Sequence, residues 1–391
     1  MDNGLVYLTL IFGLLVLPRW LQRFKVPAPI TSLALGIGAM LLWGDRTHDP
    51  VVVLLSTIGI SSLFLFAGLE VDPAELRKGV RQLAMHLLIR IATLSATAWL
   101  AWRYAGLEWQ AAALVALALL TPSTGFILDT LERLGLDEEE RFWVTSKAIA
   151  GELLALAALF FLLQADDAMQ LAASTSAMIA LIVGLPLLFI GLGRWVVPHA
   201  PGSEFSLLVM VGLVGAFVTF KLGVYYLVGA FIAGLAARLL QERMPNLASA
   251  DNLHALRLFA TFFVPFYFFH AGTEISRDAL SWEALGLGIA ITVVVVPLRI
   301  AIVWLQRRAM FGKRDGSNLR VAVALAPTLV FTLVLAGILH ARFGLPDALF
   351  GALILYTVLN TMLPSLILKQ PFDIDLLDDR DWHPEDRIAN G

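Results

Sequence analysis

One carboxylate stands apart from its neighbours. In residues 141–164, Glu152 is the single charge between Lys147 and the end of the segment, and the next one is Asp166. At about 1.5 Å of rise per residue, Glu152 lies roughly 16 Å from Arg141 and roughly 21 Å from Asp166. That sets it near the centre of a hydrocarbon core about 30 Å thick. A charged side chain there costs at least about 3 kcal/mol, so its presence implies a task or a partner. A lone buried carboxylate can bind a proton, bind a cation, or pair with another helix as a structural group.

The preceding apolar stretch, 109–133, is interrupted at Thr121-Pro122-Ser123-Thr124-Gly125. Proline removes a backbone donor and clashes with the turn before it, and glycine and hydroxyl residues favour further unwinding. From Trp109 the break lies roughly 19 Å along the helix, close to the depth of Glu152. Freed carbonyls at that depth must be satisfied by protein, water or an ion. The two features together describe a cation site built from Glu152, the hydroxyls of Thr121, Ser123 and Thr124, and backbone oxygens. Arg299, eight residues before Arg307 in another apolar stretch, is the second deep charge and the expected counter-ion of Glu152. Weaker charges are read as structural. Glu70 and Glu274 cap or orient helices, His270 packs, His86 and Arg90 snorkel, Lys147 reaches the cytoplasm, and Asp129 forms a salt bridge near it.

The 391 residues are 59% apolar and 15% charged, with a net charge of −3 and no cysteine. This is the composition of an all-α polytopic membrane protein. Disulfides, thiol catalysis and thiolate metal sites are excluded, and no basic run points to nucleic acid. There is no nucleophile elbow, phosphate-binding glycine loop or metal-ligand cluster, so neither an enzyme nor a cofactor is expected. The stretch 5–18 has no basic residue ahead of it and no cleavage site, and reads as a retained first span.

About thirteen spans are expected, at 4–18, 27–43, 51–70, 82–103, 109–133, 141–164, 168–193, 204–220, 224–241, 255–272, 283–305, 319–340 and 345–368. Loops after odd-numbered spans hold most of the basic residues, among them Arg19, Arg23, Lys25, Arg77, Lys78, Arg81, Arg133, Arg194, Arg238, Arg243, Arg307 and Arg308. The positive-inside rule then puts those loops and the C-terminus in the cytoplasm and the N-terminus outside, which in a bacterium means the inner membrane.

A repeat is also legible. Phe-Leu-Phe-Ala-Gly68-Leu-Glu70 matches Phe-Phe-His-Ala-Gly272-Thr-Glu274 at an offset of 204, and Pro122 matches Pro327, followed by Thr328, at 205. The offset equals seven spans, so the second copy is inverted, as in many secondary transporters. The expected organisation is a first six-helix repeat (1–164), a linker helix (165–203), an inverted second repeat (204–369) and a short acidic cytoplasmic tail (370–391).

Over residues 1–369 the chain resembles the monovalent cation/proton antiporters, the branch that holds bacterial sodium/proton exchangers and Kef-type potassium transporters. The resemblance is carried by Phe64–Glu70 with Asp72, Thr121–Gly135, Ala148–Ala158, Val228–Gly234, Pro265–Glu274 and Arg299. It implies a dimerisation domain, hence a homodimer, and a mobile core in which two broken helices cross. It also implies an essential carboxylate at Glu152, a basic residue at Arg299, and exchange of Na+ or K+ for protons by alternating access. The residue before the carboxylate is commonly Asp or Asn in this family; here it is Gly151, which leaves one proton-cycling group and predicts electroneutral exchange. Thr328-Leu329-Val330 replaces the Arg-Gly-Glu common in Kef-type members, and the chain carries no Kef-type nucleotide-binding domain. An organic-anion/cation symporter of the same fold and a non-transporting sensor with a degenerate ion site remain alternatives.

Overall fold

The structure, a computed structural model, describes residues 3–44, 49–71, 80–131, 134–164, 168–200, 202–223, 225–241, 244, 249–312 and 315–368. Arg46, Asp72, Arg77, Lys78, Arg133, Arg243 and the acidic tail lie outside the described residues, as does the side chain of Asp129. Fifteen α-helices account for the described chain. They are α1 (Asn3–Gln22), α2 (Ala28–Trp43), α3 (Pro50–Leu69), α4 (Val80–Ala105), α5 (Trp109–Leu120), α6 (Thr124–Leu131), α7 (Glu138–Gln164), α8 (Ala168–Trp195), α9 (Glu204–Lys221), α10 (Tyr226–Leu239), α11 (Ala250–Thr273), α12 (Trp282–Phe311), α13 (Asp315–Ala324), α14 (Leu329–Phe343) and α15 (Asp347–Ile367).

By length and composition the described helices make nine candidate bilayer spans, with α5 and the start of α6 counted together over Trp109–Leu128, or ten when α13 and α14, bent by 42°, are taken as one broken span. Three further apolar helices, Tyr7–Gln22, Ala28–Leu42 and Tyr226–Leu239, are shorter. The expected thirteen spans are reached only if those short helices cross as well. Helix starts follow local chemistry. Asp49 accepts from the Val51 and Val52 amides at the head of α3, and Ser249 and Ser281 do the same for α11 and α12. The α7 helix begins three residues earlier than its apolar pattern suggests, because Asp137 and Glu140 cap one another's amides at 2.8 and 3.1 Å. Pro18, Pro186, Pro265, Pro297 and Pro364 all lie inside helices that continue past them.

The helices pack as two bundles. In one, α3 lies against α10 and α11, α11 against α2, and α9 against α10. In the other, α4 packs on α5 and α7, α12 on α13 and α15, and α14 on α5 and α15. The α3 and α6 helices, and α7 and α8, join the two.

The inverted repeat is written into the first bundle by glycine contacts. A Cβ on Gly68 of α3 would stand 3.1 Å from Gly234 Cα of α10. Its repeat mate Gly272 of α11 meets Gly36 of α2 in the same way, at 3.0 Å. Between these contacts α3 and α11 cross each other, where a Cβ on Gly59 would collide with the Phe263 carbonyl, again at an offset of 204. Membrane helices have no hydrophobic drive toward one another, so backbone approach over small residues supplies much of the contact energy. Gly68→Val and Gly272→Val should each lower the melting temperature of the purified protein, at a cost of about 1–3 kcal/mol or more from overpacking. Gly13→Ala, with nothing within 4 Å of the added Cβ, should leave it unchanged.

Candidate functional site

Both spans break, one over Thr121, Pro122 and Ser123 and the other at Pro327 and Thr328, while Gly125, expected in the first break, lies inside α6. The α5 helix ends at Leu120 and α6 begins at Thr124, leaving Thr121, Pro122 and Ser123 between them. The α13 helix ends at Ala324 and α14 begins at Leu329, with Pro327 and Thr328 in the gap. The breaks touch: the Ser123 amide donates to the Pro327 carbonyl at 2.9 Å. Gly125, one residue into α6, packs against Leu63 of α3 across the bundle boundary.

Most of the backbone oxygens exposed by the breaks are already satisfied. The Thr332 hydroxyl donates to Ala118 O at 2.7 Å, the Tyr356 hydroxyl to Leu119 O, and Arg90 Nη1 to Leu120 O. At the second break, Arg299 Nη2 donates to Leu325 O at 3.1 Å and Nη1 to Ala326 O at 2.8 Å. These carbonyls are engaged in structure, which corrects the expectation that backbone oxygens would be free as ligands. Arg299 likewise spends its donors on the second break and on the Tyr356 hydroxyl at 3.0 Å, rather than on Glu152. Helix C-termini carry partial negative charge, so a guanidinium there is well placed and its hydrogen bonds are charge-assisted.

At the first break, unsatisfied side-chain oxygens remain on Glu152 and Thr121. The Glu152 side chain on α7 is buried, at 1% exposure. The carboxyl faces the amide and hydroxyl of Thr124, the first residue of α6, where the positive end of the helix favours an anion. Among the described residues, Glu152 Oε2 and Thr121 Oγ1 are buried oxygens that complete no hydrogen bond. In a low-dielectric interior each such atom is costly unless a ligand supplies its partner. Ser123 is buried in the same gap, and its amide is the one that holds Pro327.

The pseudo-symmetric half is closed. Thr328 and Asn360 bond reciprocally, amide to Oδ1 at 3.2 Å and Nδ2 to Oγ1 at 2.9 Å. The Thr332 hydroxyl, its proton given to Ala118 O, lies 2.7 Å from Thr328 Oγ1, and Thr357 lies 3.2 Å from the same Thr328 hydroxyl. A neutral amide on α15 stands where the first half has a carboxylate on α7. Tyr356, Thr332 and Asn360 are site residues that the sequence reading missed. The repeat offset was the available signal: moving 205 positions from Glu152 lands on Thr357, beside Tyr356 and three residues before Asn360.

Other expectations change with the packing. His86 does not snorkel: it is buried and bonded to Gln306 at 2.8 Å, edge-on to Trp143. Lys147 donates to Gln306 Oε1 and sits over the Trp143 ring, instead of extending to the surface. Glu70 and Glu274 occupy C-cap positions of α3 and α11, the structural place expected of them, and His270 lies 3.8 Å from Glu274.

Crossed broken helices in a polytopic bundle, with one protonatable carboxylate at the crossing, define a secondary ion transporter. The comparisons narrow this. Residues 7–373 match the family model described as sodium/hydrogen exchanger, transmembrane, and the chain belongs to that family. Its fold is similar to that of the sodium proton antiporter MjNhaP1 from Methanocaldococcus jannaschii. The structure of that protein at pH 8 has 17% sequence identity and a TM-score of 0.65, over 94% of this chain and 95% of the other. A structure from an electron-microscopy map of the same antiporter gives 15% identity and a TM-score of 0.64 over the same shares.

Tyr356→Phe leaves the buried Leu119 carbonyl without its donor and removes one partner of Arg299. The expected loss is about 1–3 kcal/mol of stability, read as a lowered melting temperature with the protein still inserted.

Proposed function

We propose that this protein exchanges Na+ or K+ for protons across the bacterial inner membrane, with Glu152 as the shared binding group. The observation that carries the reading is the buried Glu152 carboxyl facing the amide and hydroxyl of Thr124 at the first break, with Glu152 Oε2 and the nearby Thr121 Oγ1 of the same break unsatisfied. A proton satisfies the carboxylate alone; a dehydrated cation draws on the oxygens of Glu152, Thr121 and Thr124, with Ser123 beside them. Arg299 holds the second break and keeps the site's geometry. The two loads compete for one carboxylate and each carries one positive charge, so exchange is electroneutral.

Alternating access has a physical basis in the two bundles. A cavity of about 650 Å³ lies between them, bounded by Arg19, Arg23 and Lys25 at one end and by Gly125 and Phe126 of α6 deeper in. Under the positive-inside orientation this cavity faces the cytoplasm, with the N-terminus outside and the C-terminus inside. Rocking of the bundle that holds the breaks against the other would close it. The protein works as a homodimer in this reading.

One observation favours a second reading, sodium-coupled symport of an organic anion. The described lining of the cavity includes Arg19, Arg23, Lys25 and Arg257 and no carboxylate, a field that attracts anions. Sodium-driven uptake of a radiolabelled dicarboxylate into proteoliposomes, with no sodium-driven proton movement, would establish that reading in place of exchange.

In liposomes holding a pH-sensitive dye, addition of sodium, potassium or lithium should dequench the dye for the transported ion, and an imposed membrane potential should not alter the rate. Glu152→Gln should abolish the response while the protein stays folded and inserted. A mutant that still exchanges removes Glu152 from the central role. With one site for both ions, the apparent KM for the cation should rise by up to about tenfold per unit fall in pH on the acid side. A KM independent of pH contradicts competition.

A further inference from the structure

Arg90 is used by no step of the exchange described above, yet it reaches into the site from α4, at the side of the second bundle. The α4 helix is largely exposed along its length, and Arg90 is half-buried where the chain turns its guanidinium inward. Nη1 caps the Leu120 carbonyl, the last residue of α5 before the break. The rest of the group lies in a notch on α7 that exists because residue 151 is glycine. A Cβ at Gly151 would stand 2.8 Å from Arg90 Nη2, 3.3 Å from Arg90 Nε and 3.3 Å from Pro122 Cδ. Three elements therefore meet at one point: the arginine of α4, the glycine of α7 and the proline of the break.

The second repeat shows the same device. Arg299 of α12 donates to Leu325 O, and Leu325 is the repeat mate of Leu120 at an offset of 205. Each broken span thus ends its first half on an arginine sent from the span before it. Arg90 carries the additional contact with Gly151, and Gly151 is bonded to Glu152. Whatever moves α7 at 151 moves the carboxylate with it.

We infer that Arg90 is a positioning residue of the ion site: seated in the Gly151 notch, it locks the end of α5 to α7 and fixes Glu152 relative to Thr121 and Thr124. This rests on the antiport reading of Glu152. The guanidinium and a side chain at 151 are mutually exclusive occupants of one volume. With Arg90 removed, an Asn at 151 can fill that volume and offer an amide donor in the guanidinium's place.

The test is a double-mutant cycle of wild type, Arg90→Ala, Gly151→Asn and the double variant, with Arg90→Lys alongside, all in proteoliposomes. Each single substitution should raise the apparent KM for the cation about tenfold or more, with a smaller change in maximal rate; the double variant should return to within about threefold of wild type. Arg90→Lys, which keeps a donor and the charge, should fall between wild type and Arg90→Ala. A double variant as impaired as the sum of the singles, or an Arg90→Ala protein with unchanged KM, overturns the assignment. Melting temperatures of the same four proteins read the contact without transport: Gly151→Asn should be less destabilising in the Arg90→Ala background than in wild type. A wild-type protein that moves no cation would sink the antiport reading, and the melting cycle would still decide the contact, additive values overturning it.

Discussion

The constraint on which this structure depends is the cost of an unpaired backbone group inside a membrane. Water is not at hand there, and each bare carbonyl or amide costs several kcal/mol. Two broken spans create a set of such groups at one depth, so the fold must bring donors to them. It does so from both repeats. Thr332 and Tyr356 of the second half cap carbonyls of the first, Ser123 of the first half caps Pro327 of the second, and an arginine stands at the end of each half-helix. The crossing is therefore held by reciprocal hydrogen bonds between the two halves.

That satisfaction is uneven, and the unevenness locates the chemistry. Around Thr328 the hydroxyls of Thr332 and Thr357 and the amide of Asn360 close a neutral network. At the first break Glu152 Oε2 and Thr121 Oγ1 stay open, and the carboxyl faces Thr124. The closed network is a fixed joint; the open oxygens are where the proposed exchange would load a proton or a cation. In the proposed mechanism such a joint gives one bundle a rigid centre, so that a displacement between bundles exposes the site to one side and then the other without dismantling it.

Glu152, the two prolines and the repeat were legible in the sequence because each is a local signal: a charge at mid-depth, a helix breaker, a matching heptad of residues. The family followed from the same stretches, and its model covers residues 7–373. What was not legible depends on partners far apart in the chain. Tyr356 and Leu119 are 237 positions apart, and Thr332 and Ala118 are 214. No periodicity in either helix announces such a bond. Arg90 and Lys147 were misread for the same reason. Each was assigned to the nearest water by its depth, whereas the structure offers them a carbonyl and a glutamine nearer still. The target of Arg299 is decided by geometry, since two carbonyls and a phenol lie within its reach.

The central claim is that one carboxylate holds either a proton or a cation. Its most direct test counts protons released when the transported cation is added to purified protein in a weakly buffered solution with a pH indicator, at a pH where the site is largely protonated. The account predicts one proton released for each cation bound, and no release from a Glu152→Gln protein. Cation binding with no proton release, or undiminished release from the mutant, would contradict it.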